Sequence, residues 1–297
     1  MVIRSFAALA AAMRRRPPLR VVLAGVARGV EEGLVSEAIL VGDPAAIRAA
    51  LPAALAGVAG IVAAEGADAV AAAAVACVRA GEADLLAKGR VDSAAYLRAV
   101  VSREAGIRSG GVLSNLTLAE MESVPRLLGG TDNGIVPLPT LEQKRAIIGN
   151  ARPLFAGLGL AEVRVAAIAA SEKVTPGQPA TADAAALAAE SRAGKLPGLV
   201  VDGPFGYDVA LSPEAAAAKG LAGSPVAGRA DLILFPNLEA GNATVKAWKL
   251  HGRARTASLV IGARVPVLLN SRSDGAEQRH LGLLLAQALI AGHEERG

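Results

Sequence analysis

The chain has 297 residues, enough for one large domain or two ordinary ones. Hydrophobic residues make up 53% but aromatic residues only 2%, which disfavours proteins that stack nucleic-acid bases on aromatic side chains. The formal net charge is +4, and the lysines and arginines are scattered. This distribution suits an anionic small molecule better than a duplex, so we expect no nucleic-acid partner.

The N-terminal segment is predicted to be a helix and not a secretion signal. The apolar stretch Phe6–Met13 is short, and Arg14–Arg16 stands where a signal peptide would have small cleavage-site residues. Pro17 and Pro18 would then end the helix. No uncharged run approaches the roughly 20 residues that span a bilayer, so we expect a cytoplasmic protein without a membrane partner.

Short β-branched runs alternate with longer alanine-rich helical patterns along the chain. Asp92, directly before one such pattern, is typical of a helix N-cap. In chain order, we predict strands at Val21–Val26, Ala38–Val41, Asp84–Ala87, Val163–Ala169, Gly198–Val201, Asp231–Phe235 and Val265–Leu269, and helices at Pro44–Ala56, Asp68–Ala80, Ser93–Glu104, Thr140–Gly157 and Thr181–Ala193. This alternation predicts an α/β fold with parallel strands covered by helices on both faces.

A polar, Gly- and Pro-containing zone divides the pattern. We interpret Gly129–Pro139 as a crossover between two lobes, and the helix that follows as the start of the second lobe. The predicted first lobe is discontinuous and comprises residues 1–139 and 262–297. The second lobe comprises residues 140–261.

Glycines and charged residues follow the predicted strands at their carboxyl ends. They include Lys88-Gly89, Glu172, Gly203 and the segment Gly241-Asn242. Ligands bind at this edge of an open parallel sheet, and glycine lets a ligand approach the backbone closely. Any one segment could be an ordinary strand–helix turn, with Lys88 as a structural turn lysine. Together with the tail described next they favour one shared site.

The tail contains the densest group of reactive side chains. The predicted strand Val265–Leu269 leads into Asn270-Ser271-Arg272-Ser273-Asp274, directly before a helical pattern. Arginine presents a planar fork to phosphate, and a nearby carboxylate can act as a base. The alternative is a helix N-cap formed by Ser273 or Asp274.

Several familiar motifs are missing from the sequence. Gly157-Leu158-Gly159 lacks the third glycine of a dinucleotide fingerprint, and there is no phosphate-binding loop of nucleotide hydrolases and no nucleophile elbow. The single cysteine, Cys77, has no histidine near it in sequence and is expected to pack as a small apolar residue. The three histidines show no metal-ligand spacing, so we expect no metal site.

A family resemblance extends from about residue 83 to residue 288. Its motifs are Lys88-Gly89 with Tyr96-Leu97-Arg98, Thr131-Asp132 with Pro137, Glu142-Gln143-Lys144, Glu172-Lys173-Val174, Val201-Asp202-Gly203-Pro204 with Asp208, Glu239-Ala240-Gly241-Asn242, Lys246 and Ser271-Arg272-x-Asp274. In order and spacing the chain resembles the phosphate acetyltransferase/phosphate butyryltransferase family, and its butyryltransferase branch most.

The resemblance implies a two-lobed, parallel-sheet fold like that of isocitrate and isopropylmalate dehydrogenases, with a cleft between the lobes, in a homodimer. It implies reversible acyl transfer between coenzyme A and phosphate, with coenzyme A as substrate and no metal or bound cofactor. Asn115 stands where the family often has histidine, and Thr244-Val245 where the butyryltransferase branch usually has a tyrosine. These departures leave the acyl-chain preference open.

The resemblance also implies roles for individual residues. Arg272 would hold the phosphate, Ser271 would stabilise the oxyanion and Asp274 would be the general base, with Glu277 in reserve. Arg98 would be a second phosphate ligand. Further substrate-binding residues would be Lys88, Gly89, Glu172, Gly203, Gly241, Asn242 and Lys246. The alternatives are a solvated helix arginine for Arg98, and a capping or solvating role for Asn242 and Lys246.

Two other functions remain open at this point. A non-catalytic acyl-CoA-binding protein could have the same fold, although the presence of Ser271, Arg272 and Asp274 argues against it. A decarboxylating dehydrogenase would need a carboxylate cluster for a divalent metal, and no Asp-x-x-x-Asp group stands in the right setting.

Overall fold

A computed structural model of the chain describes residues 1–22, 33–51, 53–109, 111–269 and 275–294. The chain divides into two compact units. One, here called the 7–111 unit, consists of Ala7–Gly111 and Ala257–Ile290. The other, the 112–256 unit, consists of Met1–Phe6, Val112–Thr256 and the C-terminal residues from Ala291.

The described strands and helices alternate along most of the chain. The strands are β1 (Leu19–Val22), β2 (Val35–Gly42), β3 (Ala59–Ala63), β4 (Leu85–Ala87), β5 (Ser114–Met121), β6 (Val124–Thr131), β7 (Val163–Ile168), β8 (Leu199–Phe205), β9 (Leu232–Leu234), β10 (Arg255–Ile261) and β11 (Val267–Leu268). The helices are α1 (Phe6–Met13), α2 (Pro44–Ala50), α3 (Ala67–Arg79), α4 (Ser93–Val101), α5 (Leu141–Gly157), α6 (Pro179–Arg192), α7 (Tyr207–Leu211), α8 (Pro213–Ala218), α9 (Leu238–Leu250) and α10 (Ala276–Glu294).

In the 7–111 unit the strands have the order β3-β2-β1-β4-β11-β10. All neighbours are parallel except β10 and β11, which are antiparallel. Strand β4 therefore lies between β1 and β11, and the carboxyl ends of β4 and β11 meet at one edge. The predicted α/β class with a parallel sheet is confirmed here.

In the 112–256 unit the strands have the order β5-β6-β9-β7-β8. Strands β5 and β6 form an antiparallel pair, and β6, β9, β7 and β8 run parallel to one another. The carboxyl ends of these four strands share an edge, which is where a doubly wound sheet binds its ligands. Among the helices of the described ranges, none combines the length and apolar character needed to span a bilayer.

The helix boundaries follow from local sequence chemistry. The Asp92 side chain accepts the N–H groups of Ala94 and Ala95, which confirms the predicted N-cap of α4. Helix α5 begins with a reciprocal capping box between Thr140 and Gln143. The helix predicted over Pro44–Ala56 is too long, since α2 ends at Ala50. Leu51 is extended (φ −71°, ψ 119°), because it precedes a proline and the proline ring disfavours the helical conformation of the residue before it.

The crossover predicted at Gly129–Pro139 is wrong at its start, because Gly129, Gly130 and Thr131 lie in the buried strand β6. These glycines have a packing role. A Cβ on Gly129 would lie 2.7 Å from Cζ of Phe155, and one on Gly130 would lie 2.8 Å from Cη2 of Trp248. Their absent side chains therefore let these aromatic rings lie directly on the sheet.

The division into compact units also differs from the predicted lobe boundary at residue 139. Residues 112–139, which include the β5–β6 hairpin, belong to the 112–256 unit. The physical reason is that β6 pairs in parallel with β9 over three residues, Gly129–Thr131 against Leu232–Leu234.

Strand β8 is the outer strand of its unit, and a side chain caps part of its free edge. The Ser191 hydroxyl, in the last turn of α6, accepts the N–H of Val201 at 2.9 Å and donates to the carbonyl of Leu199 at 3.2 Å. Two backbone groups that no strand pairs with are therefore hydrogen-bonded at this point.

Candidate active site

In the 7–111 unit, the strand ends of β4 and β11 are tied together. The backbone N–H of Lys88 donates to the carbonyl of Leu268 at 3.0 Å. The buried hydroxyl of Tyr96, on α4, lies 3.1 Å from the carbonyl oxygen of Leu86 and 3.3 Å from that of Leu268. Burial raises the pKa of Tyr96 well above its ordinary value, so the phenol stays a neutral donor. Lys88 is thus placed beside the strand that precedes the predicted catalytic motif.

The predicted catalytic residues Ser271, Arg272 and Asp274 lie outside the described residues, and so does the alternative of a helix cap there. Their flanks are described. Strand β11 ends at Leu268, and α10 begins at Ala276 with the reserve base Glu277 in its first turn. The motif therefore follows the carboxyl end of a strand and precedes a helix, the context that the sequence predicts.

Two predicted phosphate-binding residues of the 7–111 unit have contrasting surroundings. Lys88 is only 9% exposed, and Gly89 follows it at the strand end. This burial suits the alternative of a structural turn lysine as well, so substrate binding by Lys88 stays a prediction. Arg98 is exposed and donates from Nη2 to Oδ1 of Asp68 at 2.8 Å. To bind phosphate, Arg98 would have to share or leave this carboxylate, and its role stays a prediction.

In the 112–256 unit, the carboxyl end of β6 forms a tightly hydrogen-bonded loop around Asp132. This carboxylate is buried and accepts four backbone N–H groups, from Asn115 at 3.0 Å, Gly134 at 2.9 Å, Ile135 at 3.2 Å and Val136 at 2.7 Å. One side chain thus fixes the turn after β6 and holds it against β5. We call residues 131–136 the Asp132 loop.

Amide and hydroxyl side chains complete this loop. The Asn115 amide donates to Oδ1 of Asn133 at 2.9 Å, and the Asn133 amide donates to the Thr117 hydroxyl at 3.0 Å. The Thr131 hydroxyl donates to the carbonyl of Asn115 at 3.1 Å. Asn115, which departs from the family pattern, is therefore a buried residue whose hydrogen bonds hold the Asp132 loop in place.

Helix α9 lies directly on the Asp132 loop. Its N-cap is Asn237, whose side chain accepts the N–H of Ala240 at 2.9 Å. The helix therefore begins before Gly241, and the alternative in which Asn242 and Lys246 cap it is wrong. Both side chains are exposed, and their i, i+4 spacing places them on one face of α9. Their binding of substrate stays a prediction.

Gly241 is required by the close approach of α9 to the loop. A Cβ at this position would lie 2.5 Å from the carbonyl oxygen of Asp132 and 2.9 Å from Cδ2 of Phe235. The glycine predicted to bind substrate thus has an additional role, because it sets the distance between α9 and the end of β6.

We expect Gly241→Ala to destabilise the protein by about 1–3 kcal/mol, because the added methyl group must push α9 away from the loop. The matched control is Gly149→Ala in α5, where no atom lies within 4 Å of the added Cβ. This control should be neutral or stabilising by up to about 1 kcal/mol, since alanine favours helix. Urea unfolding of both variants measures the difference, and equal stabilities would contradict the contact.

The ends of β7 and β8 place the remaining predicted residues. Glu172, in the loop after β7, accepts from Nζ of Lys219 at 3.1 Å. Gly203 was predicted to follow a strand that ends at Val201, but β8 continues to Phe205 and includes it. Its φ of 147° and the 2.6 Å between a built Cβ and the carbonyl of Ala167 both require glycine. Ala167 belongs to the neighbouring strand β7, so Gly203 lets β7 and β8 approach closely at this point.

The structure therefore groups the predicted residues within each unit. In the 7–111 unit, Lys88 and Gly89 lie beside the end of β11. In the 112–256 unit, Glu172, Gly203 and Gly241 follow or end parallel strands at the same edge as the Asp132 loop.

Sequence reasoning did not identify the buried carboxylate of Asp132 as the centre of this edge. Thr131-Asp132 was noted only as a motif. The sequence Asp132-Asn133-Gly134 carries a usable signal, because an aspartate side chain readily accepts backbone N–H groups two residues further along.

These features define an α/β protein with polar residues and glycines at the carboxyl ends of parallel strands, and comparison with known proteins gives the class more closely. The family model described as "Phosphate acetyl/butaryl transferase" matches residues 56–282. The phosphate butyryltransferase of Clostridium acetobutylicum is 39% identical over 217 residues, which are 73% of this chain and 71% of that protein. The chain belongs to this family, and it is an acyltransferase of the phosphate acyltransferase type.

Solved structures agree on the fold. A branched-chain phosphotransacylase from Enterococcus faecalis V583 matches with a TM-score of 0.78 and 26% identity, over 91% of this chain and 99% of that one. A putative 4-hydroxythreonine-4-phosphate dehydrogenase from Salmonella typhimurium matches with a TM-score of 0.53 and 12% identity, over 92% of this chain and 100% of that one. The second similarity concerns the fold alone, and it confirms the predicted dehydrogenase-like architecture.

Proposed function

We propose that this protein transfers an acyl group of butyryl or acetyl size from coenzyme A to inorganic phosphate, forming an acyl phosphate and free coenzyme A. Membership of the phosphate acyltransferase family is the observation that carries the proposal. It favours catalysis over an acyl-CoA-binding protein that lacks activity. Coenzyme A is a substrate in this reaction, and no metal or bound cofactor takes part.

In the proposed reaction an oxygen of phosphate attacks the thioester carbonyl carbon. Arg272 holds the phosphate through two parallel hydrogen bonds, and Ser271 donates to the oxyanion of the tetrahedral intermediate. The carbon–sulfur bond then breaks, and the coenzyme A thiolate takes, by way of Asp274, the proton that the attacking hydrogen phosphate loses. In the reverse direction Asp274 accepts the thiol proton as general base.

The described surroundings of the motif support this assignment. The backbone of Lys88, a residue only 9% exposed, is hydrogen-bonded to Leu268 on the strand that leads into Ser271-Arg272-Ser273-Asp274. A cation in a poorly solvated position attracts an anionic substrate more strongly than one in water. Lys88 and Gly89 would therefore help to bind phosphate or the phosphates of coenzyme A.

The residues of the 112–256 unit would bind the rest of the substrate. Lys246 and Asn242 offer exposed polar groups on one face of α9, and Glu172 and Gly203 lie at the same sheet edge. We further propose that the enzyme is cytoplasmic and acts as a homodimer, as the family resemblance implies.

A thiol-release assay tests the proposal. Acetyl-, propionyl-, butyryl- and longer acyl-CoA are each supplied with and without phosphate, and arsenate replaces phosphate in a parallel series. We expect phosphate-dependent release of free thiol, fastest with one short-chain substrate. If no acyl-CoA gives phosphate-dependent release, the proposal is wrong.

Initial rates distinguish the kinetic mechanism. Because both substrates are held together and react directly, double-reciprocal plots at several phosphate concentrations should intersect. Parallel lines together with a trapped acyl-enzyme would instead show a covalent route.

A further inference from the structure

A second group of charged residues lies in the 112–256 unit at the end of β6 opposite to the Asp132 loop. A cavity of about 440 Å³ there is lined by the arginines Arg4, Arg126, Arg253 and Arg255, and by Glu120 and Glu122. This volume is within the range of small-molecule sites, roughly 300–1,000 Å³. We call this cavity the arginine pocket.

Arg126 is half-buried and is the least exposed arginine of the arginine pocket. Its side chain is 21% exposed, and its Nε donates to the carbonyl of Ala230 at 3.0 Å. Its Nη2 is shielded from solvent and has no hydrogen-bond partner among the described residues. Such a guanidinium group is costly to bury without compensation.

The negative charge near Arg126 is shared with other groups. Asp231 lies 3.9 Å from Nε of Arg126 and also 3.9 Å from Nη1 of Arg164, and it accepts the backbone N–H of Arg164 at 3.0 Å. Burial lowers the pKa of Arg126; Asp231 opposes this, while Arg164 and Arg4 add to it by repulsion. The cationic form of Arg126 is therefore stabilised only in part.

The glutamates of the arginine pocket do not balance its arginines. Glu120 accepts a hydrogen bond from Arg255 at 2.8 Å, so the charge of this carboxylate pairs with that of one arginine. With Glu122 included, two negative charges face four positive ones. An anion in the cavity would remove this excess and relieve the repulsion within the group.

The arginine pocket is distinct from the strand edge proposed to bind substrate. Arg126 and Thr131 are five residues apart on one extended strand, which is roughly 17 Å at 3.3 Å per residue. Helix α9 likewise has Gly241 near its beginning at the Asp132 loop, whereas Arg253 follows its end. A ligand in the arginine pocket would therefore lie at the ends of β6 and α9 that are far from the Asp132 loop.

We propose that the arginine pocket is a binding site for a small polyanion with a multiply charged phosphate or carboxylate group, separate from the site of acyl transfer. Guanidinium groups bind both kinds of anion through paired hydrogen bonds. Inorganic pyrophosphate is the probe for phosphate chemistry, and citrate is the probe for carboxylate chemistry.

Calorimetric titration of the full chain with each probe tests the proposal, and Trp248 provides a second readout. It is the only tryptophan of the sequence, it packs in a core cluster with Met121 and Val124, and its carbonyl accepts the N–H of Ala254. We expect at least one probe to bind, to change the fluorescence of Trp248 and to bind more weakly as salt rises.

Variants locate the site. Arg126→Gln removes the half-buried charge. Arg253→Asn removes an exposed charge and introduces a residue type that tolerates the positive φ of 48° at this position. Either change should weaken binding at least roughly tenfold, the effect of losing a charge-assisted contact. Arg192→Gln, on the 68%-exposed Arg192 of α6, is the charge-matched control and should bind like the unchanged protein.

Arg253→Asn keeps the test decisive if Arg126→Gln does not fold, because Arg253 is exposed. Arg272→Gln separates the two sites, since the arginine pocket should bind the probe normally in this variant. Loss of binding in Arg272→Gln with normal binding in Arg253→Asn would place the probe at the substrate site and overturn the proposal. Absence of binding by both probes, or equal affinities in all variants, would also overturn it.

Discussion

Arg272→Ala should lower the turnover of acyl-CoA and phosphate by about two orders of magnitude or more, which corresponds to about 2.7 kcal/mol of transition-state stabilisation. The reason is that arginine offers phosphate two charge-assisted hydrogen bonds, which hold the attacking oxygen against the thioester carbonyl carbon. Thiol release at saturating acyl-CoA, with phosphate varied, gives both kcat and KM. An Arg272→Ala enzyme with a near-normal rate would remove this residue from the mechanism.

Two further variants separate charge from geometry. Arg272→Lys keeps the charge but not the planar fork, so its rate should lie between those of the alanine variant and the unchanged enzyme. Arg48→Ala removes an exposed arginine from α2 and should leave the rate unchanged. If the lysine variant matches the unchanged enzyme, a point charge suffices and the paired contact is not needed.

Asp132→Ala should give the largest loss of stability, about 3 kcal/mol or more. Four backbone N–H groups lose their common acceptor in this variant, one buried and three partly buried, and a fully buried donor without a partner costs about 1–3 kcal/mol. Water reaching the opened loop would satisfy some of them, so the four costs do not simply add. Urea unfolding followed by far-UV circular dichroism measures the change.

Asp43→Ala provides the contrast for this prediction. Asp43 is the exposed N-cap of α2 and accepts a single N–H, that of Ala45 at 2.9 Å, so its loss should cost only about 1 kcal/mol. Asp132→Asn keeps one acceptor oxygen and should fall between the two alanine variants. Equal losses for Asp43→Ala and Asp132→Ala would show that the Asp132 loop is not held by its carboxylate.

The helices could be predicted from sequence because their ends carry local signals. Asp92, and the Thr140 cap with its partner Gln143, act within a few residues, so the beginnings of α4 and α5 are readable without the fold. Strand β6 was missed because Gly129 and Gly130 look like breakers. These positions require glycine because Phe155 and Trp248 pack against them, and both aromatic residues are distant in sequence and come close only in the folded protein.

The candidate site was predictable in its residue types and only partly in its geometry. The rule that ligands bind at the carboxyl ends of parallel strands correctly grouped Lys88 with the end of β11. It could not reveal that Gly241 and Gly203 approach the backbone of Asp132 and Ala167, because those contacts depend on the packing of other elements. Nor could it reveal the salt bridge that Arg98 makes with Asp68, thirty positions away.

The hydroxyl of Ser191 on the outer strand β8 limits how two copies of this chain can associate. A strand from a second molecule would extend the sheet by pairing with the free N–H and C=O groups of β8. The carbonyl of Leu199 and the N–H of Val201 are already bonded to Ser191, so an incoming strand would have to displace the end of α6. Joining two sheets into one continuous sheet across this stretch is therefore disfavoured.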